Sequence, residues 1–316
     1  MTLRALLFIL LALPAAAAAQ FPSRQITLIV PIPPGGAPDI AARLIGQKLA
    51  ESLGQPVVVE NRTGANGNIA SDLVAKAQPD GYTLGLLADS QITINPHLYK
   101  MPLDTLRDLT PVATVAANQF VLTVHPSLPV RTFPEFIELA RKSNPPLPYA
   151  SGGNGSQHHL TMEMLKQRAG INLLHVPFKG GAPAATATVA GDTVAMWSGS
   201  SNAPQIKAGR LRPLAVSGAQ RSPQYPDLPT IGEFYPGFEN SIWLGLFGPA
   251  GIPESALSRM RTEVRRVLES DDVKQKMNAA GGLDPLVTTP QEFGALIRRD
   301  FEKYAKIVKD LGLKLD

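Results

Sequence analysis

Segments that are apolar throughout and rich in β-branched residues alternate with amphipathic segments, and this alternation restricts the fold more than any other feature of the chain. Residues 26–32 (ITLIVPI) have the pattern of a strand that is covered on both faces. After Gly35 and Gly36, apolar residues recur on one face of a predicted helix that ends at Gly54. The pattern then repeats as a strand, a helix and a strand at residues 57–59, 69–77 and 82–88. Three strands joined by two helices form a β-α-β-α-β unit, in which the strands are parallel and the crossovers right-handed.

The alternation starts again near residue 120 and continues to the end of the chain. Strands are predicted at residues 120–125, 149–150, 173–176, 193–197, 211–217 and 243–247. Helices are predicted at residues 132–142, 156–169, 183–190, 254–269, 271–279 and 291–311. The last three helices have no strands paired with them, so we expect them to pack across a sheet formed earlier in the chain. The arrangement predicts an α/β protein with residues 20–122 and 242–316 in lobe 1 and residues 123–241 in lobe 2.

The first 19 residues have the three-part pattern of a secretory signal peptide. Arg4 precedes an apolar run at residues 5–13, Pro14 ends the run, and small residues at 17–19 form a cleavage site. The run is too short to span a bilayer, which takes about 20 residues. We therefore expect an exported protein whose mature chain begins near Gln20. The chain has no cysteine, which excludes a lipid-modified cysteine anchor, disulfides, Cys-ligated zinc and thiol nucleophiles.

The sequence lacks the common motifs of catalysis and nucleotide binding. It contains no G-x-S-x-G nucleophile motif and no phosphate-binding G-x-x-x-x-G-K-[ST] loop, and the first strand–helix loop lacks G-x-G-x-x-G. His159 and Glu163 are spaced by one helical turn, but no third metal ligand accompanies them. The net charge of +4 comes without a basic stripe interleaved with aromatic residues, which argues against nucleic-acid binding. We therefore expect a protein that is not an enzyme and that has no metal and no cofactor.

Loops rich in Gly, Ser, Asn and Gln follow several predicted strands, and most of them lead into a helix. Ligands of open α/β sheets bind at the carboxyl ends of the strands. Glycine allows a ligand to approach the backbone closely, and the free N–H groups at a helix start attract anions. The pattern therefore predicts a site for a small carboxylate. The candidate ligand-binding residues are Pro34, Gly35, Gly36, Ala37, Asp39, Asp89, Ser90, Gln91, Ser151, Gly155, Ser156, Gln157, Pro177, Lys179, Gly180, Ser198, Ser200 and Asn202.

Several segments of the chain resemble the Bug-type receptors, the extracytoplasmic solute-binding proteins of tripartite tricarboxylate transporters. The matching segments include residues 24–36 (RQITLIVPIPPGG), 53–62 (LGQPVVVENR), 79–84 (PDGYTL), 175–180 (HVPFKG) and 211–216 (LRPLAV). The resemblance implies a type II periplasmic-binding-protein fold, with two lobes and a hinged ligand cleft, and a periplasmic location. It also implies binding of small carboxylates, among them dicarboxylates, tricarboxylates, acidic amino acids and some aromatic acids. Family members hold these ligands largely through backbone amides, hydroxyls and ordered waters.

The resemblance implies a receptor that captures a small carboxylate, with a dicarboxylate as the favoured ligand, and delivers it to membrane permease subunits. We expect the receptor to be a monomer that binds no nucleic acid. Two alternatives stay open because a fold does not determine function: a ligand-sensing partner of a two-component signalling system, and an exported enzyme on the same scaffold. The chain departs from many relatives at Ile32, where they have Phe, and its loops at 89–91 and 197–202 match no single substrate.

Overall fold

Two β-sheets with helices packed against them form the part of the chain that the computed structural model describes, residues 21–279 and 283–313. The predicted signal peptide and its cleavage site lie outside these residues. Within the described ranges, no helix is long and apolar enough to cross a membrane. The strands are β1 (Ile26–Val30), β2 (Val57–Asn61), β3 (Thr83–Ala88), β4 (Leu109–Gln119), β5 (Val121–Val124), β6 (Leu147–Ser151), β7 (Leu173–Pro177), β8 (Ala195–Ser198), β9 (Arg212–Val216), β10 (Ser241–Pro249) and β11 (Asp284–Pro285). The helices are α1 (Ala37–Leu53), α2 (Asn68–Ala75), α3 (Asn95–Leu98), α4 (Phe133–Lys142), α5 (Gln157–Ala169), α6 (Gly181–Ala190), α7 (Ala203–Lys207), α8 (Glu254–Glu269), α9 (Asp271–Ala279) and α10 (Pro290–Asp310).

Sheet 1 has the strand order β11-β4-β10-β3-β1-β2, and sheet 2 has the order β7-β6-β8-β5-β9. In sheet 1, β1 pairs in parallel with β2 and β3, as the sequence predicts, while β10 runs antiparallel between β3 and β4. In sheet 2, β6 is parallel to β7 and β8, and β5 is antiparallel to β8 and β9. Each sheet therefore combines a parallel part with an antiparallel strand, and that strand directly follows a connection from the other sheet.

Local sequence signals explain where the first helix begins and ends. Gly36 precedes α1 in an extended conformation, Pro38 lies in the first turn, and Gly54 ends the helix with φ 68°. The buried face of α1 includes Ile45 and Leu49, which belong to the same apolar core as Met260 of α8. The C-terminal helices α8 and α9 contact α1, and α8 and α10 contact β4, so the predicted packing of the tail across sheet 1 is confirmed.

Two strands of sheet 1 differ from the expectations. The strand β4 is not predicted from the sequence, although it is 11 residues long, because its segment LTPVATVAANQ contains a proline and three alanines. Pro111 is tolerated there because the β4–β10 register shifts beside it, between Leu246 and Phe247. The tail also contributes the two-residue strand β11, which pairs with β4, so the expectation of a tail without paired strands is wrong.

The chain crosses between the sheets twice, and the two crossings are hydrogen-bonded side by side. The first crossing is Phe120, between β4 and β5; the second begins at Ser217 after β9 and ends at Asn240 before β10. The Phe120 amide donates to Ser217 Oγ at 2.9 Å, and the Ser217 amide donates to the Phe120 carbonyl at 2.9 Å. The Ser217 hydroxyl donates in turn to the Asn240 carbonyl at 2.5 Å. All three residues are buried, so these bonds hold the connections in a fixed register.

Candidate functional site

A cavity of about 200 Å³ lies between the two sheets and is lined by residues from both. Residues after β1 and β3 form one wall, and residues after β6, β7 and β8 form the other. We call this cavity the cleft. Its lining comprises Ile32, Gly36, Pro38, Asn66, Ala88, Asp89, Ser90, Gln91, Asn118, Phe120, Gly152, Ser156, Gln157, His158, Gly180, Gly181, Ala182, Gly199, Ser201, Asn202, Ile242, Leu244 and Leu283. The carboxyl ends of parallel strands in both sheets thus face one another, as the sequence predicts.

The loop after β1 is held in shape by Asp39, which is buried in the first turn of α1. Its carboxylate accepts hydrogen bonds from the Gly35 amide at 3.0 Å, from Arg43 Nε at 3.1 Å and from Asn61 Nδ2 at 2.8 Å. Burial alone raises the pKa of Asp39, but the bonds from Arg43, Gly35 and Asn61 outweigh burial and hold it below its usual range. Asp39 therefore braces the loop as an ionised group and does not line the cleft.

The segment after β3 forms a π-helical turn, Ser90–Ile94, whose residues are all buried. Gln91 joins this turn to two neighbouring segments: its Oε1 accepts from the Ala88 amide at 2.8 Å, and its Nε2 donates to the Asn66 carbonyl at 3.1 Å. Gly67 is needed for the second contact, because a Cβ built on it would lie 2.7 Å from Gln91 Cγ. The wall of the cleft is therefore set by side chains that bond to backbone rather than by free side chains.

Asp89 is completely buried at the end of β3 and starts a polar network that links the two walls. Its carboxylate accepts from the Ser90 amide at 2.8 Å and from Gln157 Nε2, at the start of α5. Burial, reinforced by the negative charge of Asp300, raises the pKa of Asp89 well above its usual value. Gln157 Nε2 also donates to Tyr304 Oη at 3.1 Å. The Tyr304 hydroxyl donates to Asn240 Oδ1 at 2.7 Å.

Asn240 closes this network, because its Nδ2 donates to Gln157 Oε1 at 3.1 Å and to Thr161 Oγ1. We call these five side chains (Asp89, Gln157, Thr161, Asn240 and Tyr304) the buried polar network. Its members are at most 6% exposed and come from β3, α5, the second crossing and α10.

Histidines support the loop between β6 and α5. Ser156 is the N-cap of α5; its Oγ accepts from the His159 amide at 3.3 Å and donates to the Gly153 carbonyl at 2.7 Å. The Gly155 amide donates to His159 Nδ1 at 3.1 Å, so His159 must be unprotonated on that nitrogen. His175 stacks on His159 with 4.0 Å between ring centroids, and its Nε2 lies 2.6 Å from Ser151 Oγ. Burial, with the neighbouring His159 ring, lowers the pKa of His175 to about 4.

The cleft has no cationic side chain among its described lining residues, where Asp89 and His158 are the ionisable groups. Burial lowers the pKa of His158 to about 4, so its imidazole is neutral at physiological pH. Backbone N–H groups available to an anion lie at three helix starts that line the cleft, at Gly36 before α1, at Gln157 in α5 and at Gly181 in α6. In the described ranges, no group of three or more His, Asp or Glu side chains is placed to hold a metal ion. The arrangement suits an anion stabilised by neutral dipoles.

Eight of the predicted residues line the cleft: Gly36, Asp89, Ser90, Gln91, Ser156, Gln157, Gly180 and Asn202. Eight others do not line it: Pro34, Gly35, Asp39, Ser151, Gly155, Pro177, Lys179 and Ser198. Three of these support the walls instead, since Asp39 braces its loop, Ser151 contacts His175, and Ser198 Oγ lies 2.7 Å from Thr123 Oγ1. Lys179 is exposed outside the cleft. The side chains of Ala37 and Ser200 lie outside the described part of the structure.

Several lining residues were not predicted. Phe120, Ile242 and Leu244 lie at or after the crossings between the sheets, and in the sequence their apolar side chains cannot be distinguished from core residues. His158 was not predicted either, yet it lines the cleft and packs on Phe120 with 4.7 Å between ring centroids. Asn66 lies in a Gly/Asn-rich loop between β2 and α2, a composition that could have indicated a binding wall.

Comparison with known proteins identifies close relatives. BugT of Bordetella pertussis is 35% identical over 303 residues, which cover 93% of this chain and 91% of BugT. The solved structure of Rpa4515 from R. palustris with adipate superposes with a TM-score of 0.87 at 34% identity, covering 93% of this chain and all of that one. MatC (Rpa3494) from Rhodopseudomonas palustris with bound malate superposes with a TM-score of 0.81 at 30% identity, covering 91% of this chain and all of MatC.

These likenesses confirm the predicted fold class, an α/β protein of the type II periplasmic-binding-protein fold with a ligand cleft between two lobes. They also agree with the expectation that the chain is a binding protein rather than an enzyme. The family model for the tripartite tricarboxylate transporter family receptor matches residues 41–313. The chain therefore belongs to the tripartite tricarboxylate transporter receptor family, whose members include the Bug proteins.

Proposed function

We propose that this chain is an exported receptor that captures a small carboxylate in the cleft and delivers it to the permease subunits of a tripartite tricarboxylate-type transporter. The observation that carries the proposal is the chemistry of the cleft. Helix starts from both sheets meet there, and no cationic side chain lines it among the described residues. Such a site stabilises a carboxylate by many weak dipolar contacts, each contributing about 1 kcal/mol or less.

A dicarboxylate is the favoured ligand. Two structural neighbours at 30% identity or more, Rpa4515 and MatC, are described with adipate and malate, which are both dicarboxylates. A micromolar receptor needs about 8 kcal/mol of net binding free energy, more than the few contacts of one wall provide. Contacts from both walls are therefore needed, and the ligand favours the arrangement in which the walls are closest.

We assign residues 20–122 and 242–316 to lobe 1 and residues 123–241 to lobe 2, and we place the hinge at the crossings near Phe120, Ser217 and Asn240. Hydrogen bonds from the backbone and from the Ser217 hydroxyl hold the two segments that join the lobes side by side, an arrangement suited to bending about one axis. The mature protein is proposed to begin near Gln20, in the periplasm, and to act as a monomer.

Titration calorimetry on the mature protein tests the ligand class. We expect adipate or malate to bind in the micromolar range, and adipamide, which keeps the carbon chain of adipate but has no charge, to bind at least tenfold more weakly. Small-angle scattering should show a smaller radius of gyration with the acid than without it. Equal binding of adipamide, or no binding of either acid, would contradict the proposed ligand class, and tight binding without compaction would contradict lobe closure.

Transport by the purified permease subunits in vesicles tests the delivery step. Uptake of the bound acid should require the receptor and should saturate with receptor concentration. Uptake that is the same without the receptor would contradict this part of the proposal.

A further inference from the structure

A second cavity, of about 350 Å³, continues from the cleft toward the surface. The two cavities share the lining residues Ala182, Ser201 and Asn202. Gly36 lines the cleft, and its neighbour in the chain, Gly35, lines the second cavity. We call the second one the outer cavity. Because it is lined by the β1 loop of one wall and by α6 and α7 of the other, it lies between the same two lobes as the cleft.

A cationic side chain lines the outer cavity, whereas none of the described residues that line the cleft is cationic. Arg210 is the ionisable residue among its described lining residues, and it follows Gly209 in the turn between α7 and β9. Gly209 has φ 69°, and the Arg210 amide donates to the Gln205 carbonyl at 2.9 Å, so the turn that carries Arg210 is fixed. Arg210 is exposed, and within residues 21–279 and 283–313 no hydrogen-bond or ion-pair partner of its guanidinium is found. An arginine in this position offers paired N–H donors to a carboxylate.

Part of the wall of the cleft is apolar. Ile32, Phe120, Ile242 and Leu244 line the cleft with hydrocarbon. Two polar lining side chains are already bonded, since Gln91 bonds to the Ala88 amide and the Asn66 carbonyl, and Gln157 belongs to the buried polar network. A hydroxyl packed against the apolar part of the wall would lose water and find no partner in these four side chains, whereas methylene or ring carbons would gain about 25 cal/mol per Å² of apolar surface buried.

We propose that the ligand is an α,ω-dicarboxylate with an apolar spacer, and that Arg210 is the residue that selects for its second carboxylate. This inference rests on the proposed function, since it takes the first carboxylate to be held at the helix starts of the cleft. The spacer packs on the apolar part of the cleft wall, and the second carboxylate reaches the guanidinium in the outer cavity. A short acid that stays within the cleft leaves Arg210 unpaired and gains nothing from it.

Adipate and hexanoate separate the two ends of the ligand, because they have the same six carbons and differ in one carboxylate. Calorimetry compares the mature protein with Arg210→Gln, and with Lys207→Gln as a control that removes a nearby exposed cation that lines neither cavity. We expect Arg210→Gln to weaken adipate binding by about five- to tenfold, in keeping with a charge-assisted bond at a partly exposed site, and to change hexanoate binding by less than about twofold. Lys207→Gln should change neither. Salt should weaken adipate binding in the parent protein more than in Arg210→Gln.

The outcomes distinguish this inference from the proposed function. If both acids bind but Arg210→Gln weakens them equally, or leaves adipate unchanged, Arg210 does not select the second carboxylate, while carboxylate binding itself still stands. If neither acid binds the parent protein but a short hydroxy acid such as malate does, the apolar-spacer class is wrong and the carboxylate receptor is not. If no carboxylate binds at all, both are wrong.

Discussion

Replacing Tyr304 by phenylalanine removes one hydroxyl from the buried polar network and leaves the aromatic ring in place. The hydroxyl accepts from Gln157 Nε2 at 3.1 Å and donates to Asn240 Oδ1 at 2.7 Å. Gln157 Nε2 keeps its bond to Asp89, but Asn240 Oδ1 has no other partner among the described residues. An unsatisfied buried acceptor costs about 1–3 kcal/mol, so we expect Tyr304→Phe to lower the free energy of unfolding by about 2 kcal/mol.

Urea unfolding followed by tryptophan fluorescence measures this loss. With a slope of about 3 kcal/mol per molar urea, a loss of about 2 kcal/mol lowers the midpoint by about 0.7 M. Tyr235→Phe is the matched control: its ring packs at the edge of Phe133, and its hydroxyl has no hydrogen-bond partner in the described ranges. The control should shift the midpoint by less than about 0.2 M, because surface or unbonded groups change stability by about 0.5 kcal/mol at most. Equal shifts for the two variants would refute the role assigned to the network.

Three further predictions concern the cleft wall, pH and the crossings. Gly36→Val should weaken carboxylate binding at least tenfold with little loss of stability. The Gly36 φ of −81° suits any residue, but a Cβ there would lie 2.1 Å from Cδ1 of Ile32, which lines the cleft. Calorimetry measures the affinity and thermal unfolding the stability, and unchanged affinity would remove this loop from the site. His158→Asn should gain stability relative to the parent as the pH falls from about 6.5 to about 4, by up to about 1.4 kcal/mol per pH unit. The reason is that in this pH range the parent's His158 binds a proton only after unfolding, so low pH destabilises the parent and not the variant. A difference between the urea midpoints that does not depend on pH would contradict this. Ser217→Ala should lower the free energy of unfolding by about 1–3 kcal/mol, since the buried Phe120 amide loses its acceptor. A change below about 0.5 kcal/mol, measured by urea unfolding, would show that the crossing does not depend on the hydroxyl.

The local elements of the fold could be predicted because each carries its own signal. The helix α1 has an apolar stripe and ends at Gly54, and α4 has a capping box in which Thr132 and Glu135 bond to each other's backbone amides. In contrast, β4 could not be predicted, because its stability comes from pairing with β10, which lies more than a hundred residues later in the chain. Periodicity reports what a segment buries, but not which distant segment pairs with it.

The candidate site could be predicted at the level of loops, but not of individual side chains. The loops at the carboxyl ends of the strands do meet at the cleft, because parallel sheets require it. Within a loop, however, Asp39 is bonded to Arg43 and Asn61, and Asn61 comes from a different strand. No pattern in the sequence shows that a polar residue is already satisfied by a distant partner. Arg210 was not predicted for a related reason, since nothing in the sequence shows that it lines a cavity together with Gly35 and residues of α6.

The position of β10 in sheet 1 has a consequence for the order in which the protein can fold. Every strand of sheet 2 comes from one continuous stretch, residues 121–216, so that sheet can form as soon as this stretch is free. Sheet 1 cannot be completed so early, because β10 (Ser241–Pro249) lies between β3 and β4 in the sheet and is synthesised long after both. Until β10 arrives, β3 and β4 each have an unpaired inner edge, which is the kind of edge that pairs with other chains. The half of the protein that begins first is therefore the half that is completed last, and the facing edges of β3 and β4 stay unpaired until residues 241–249 have emerged.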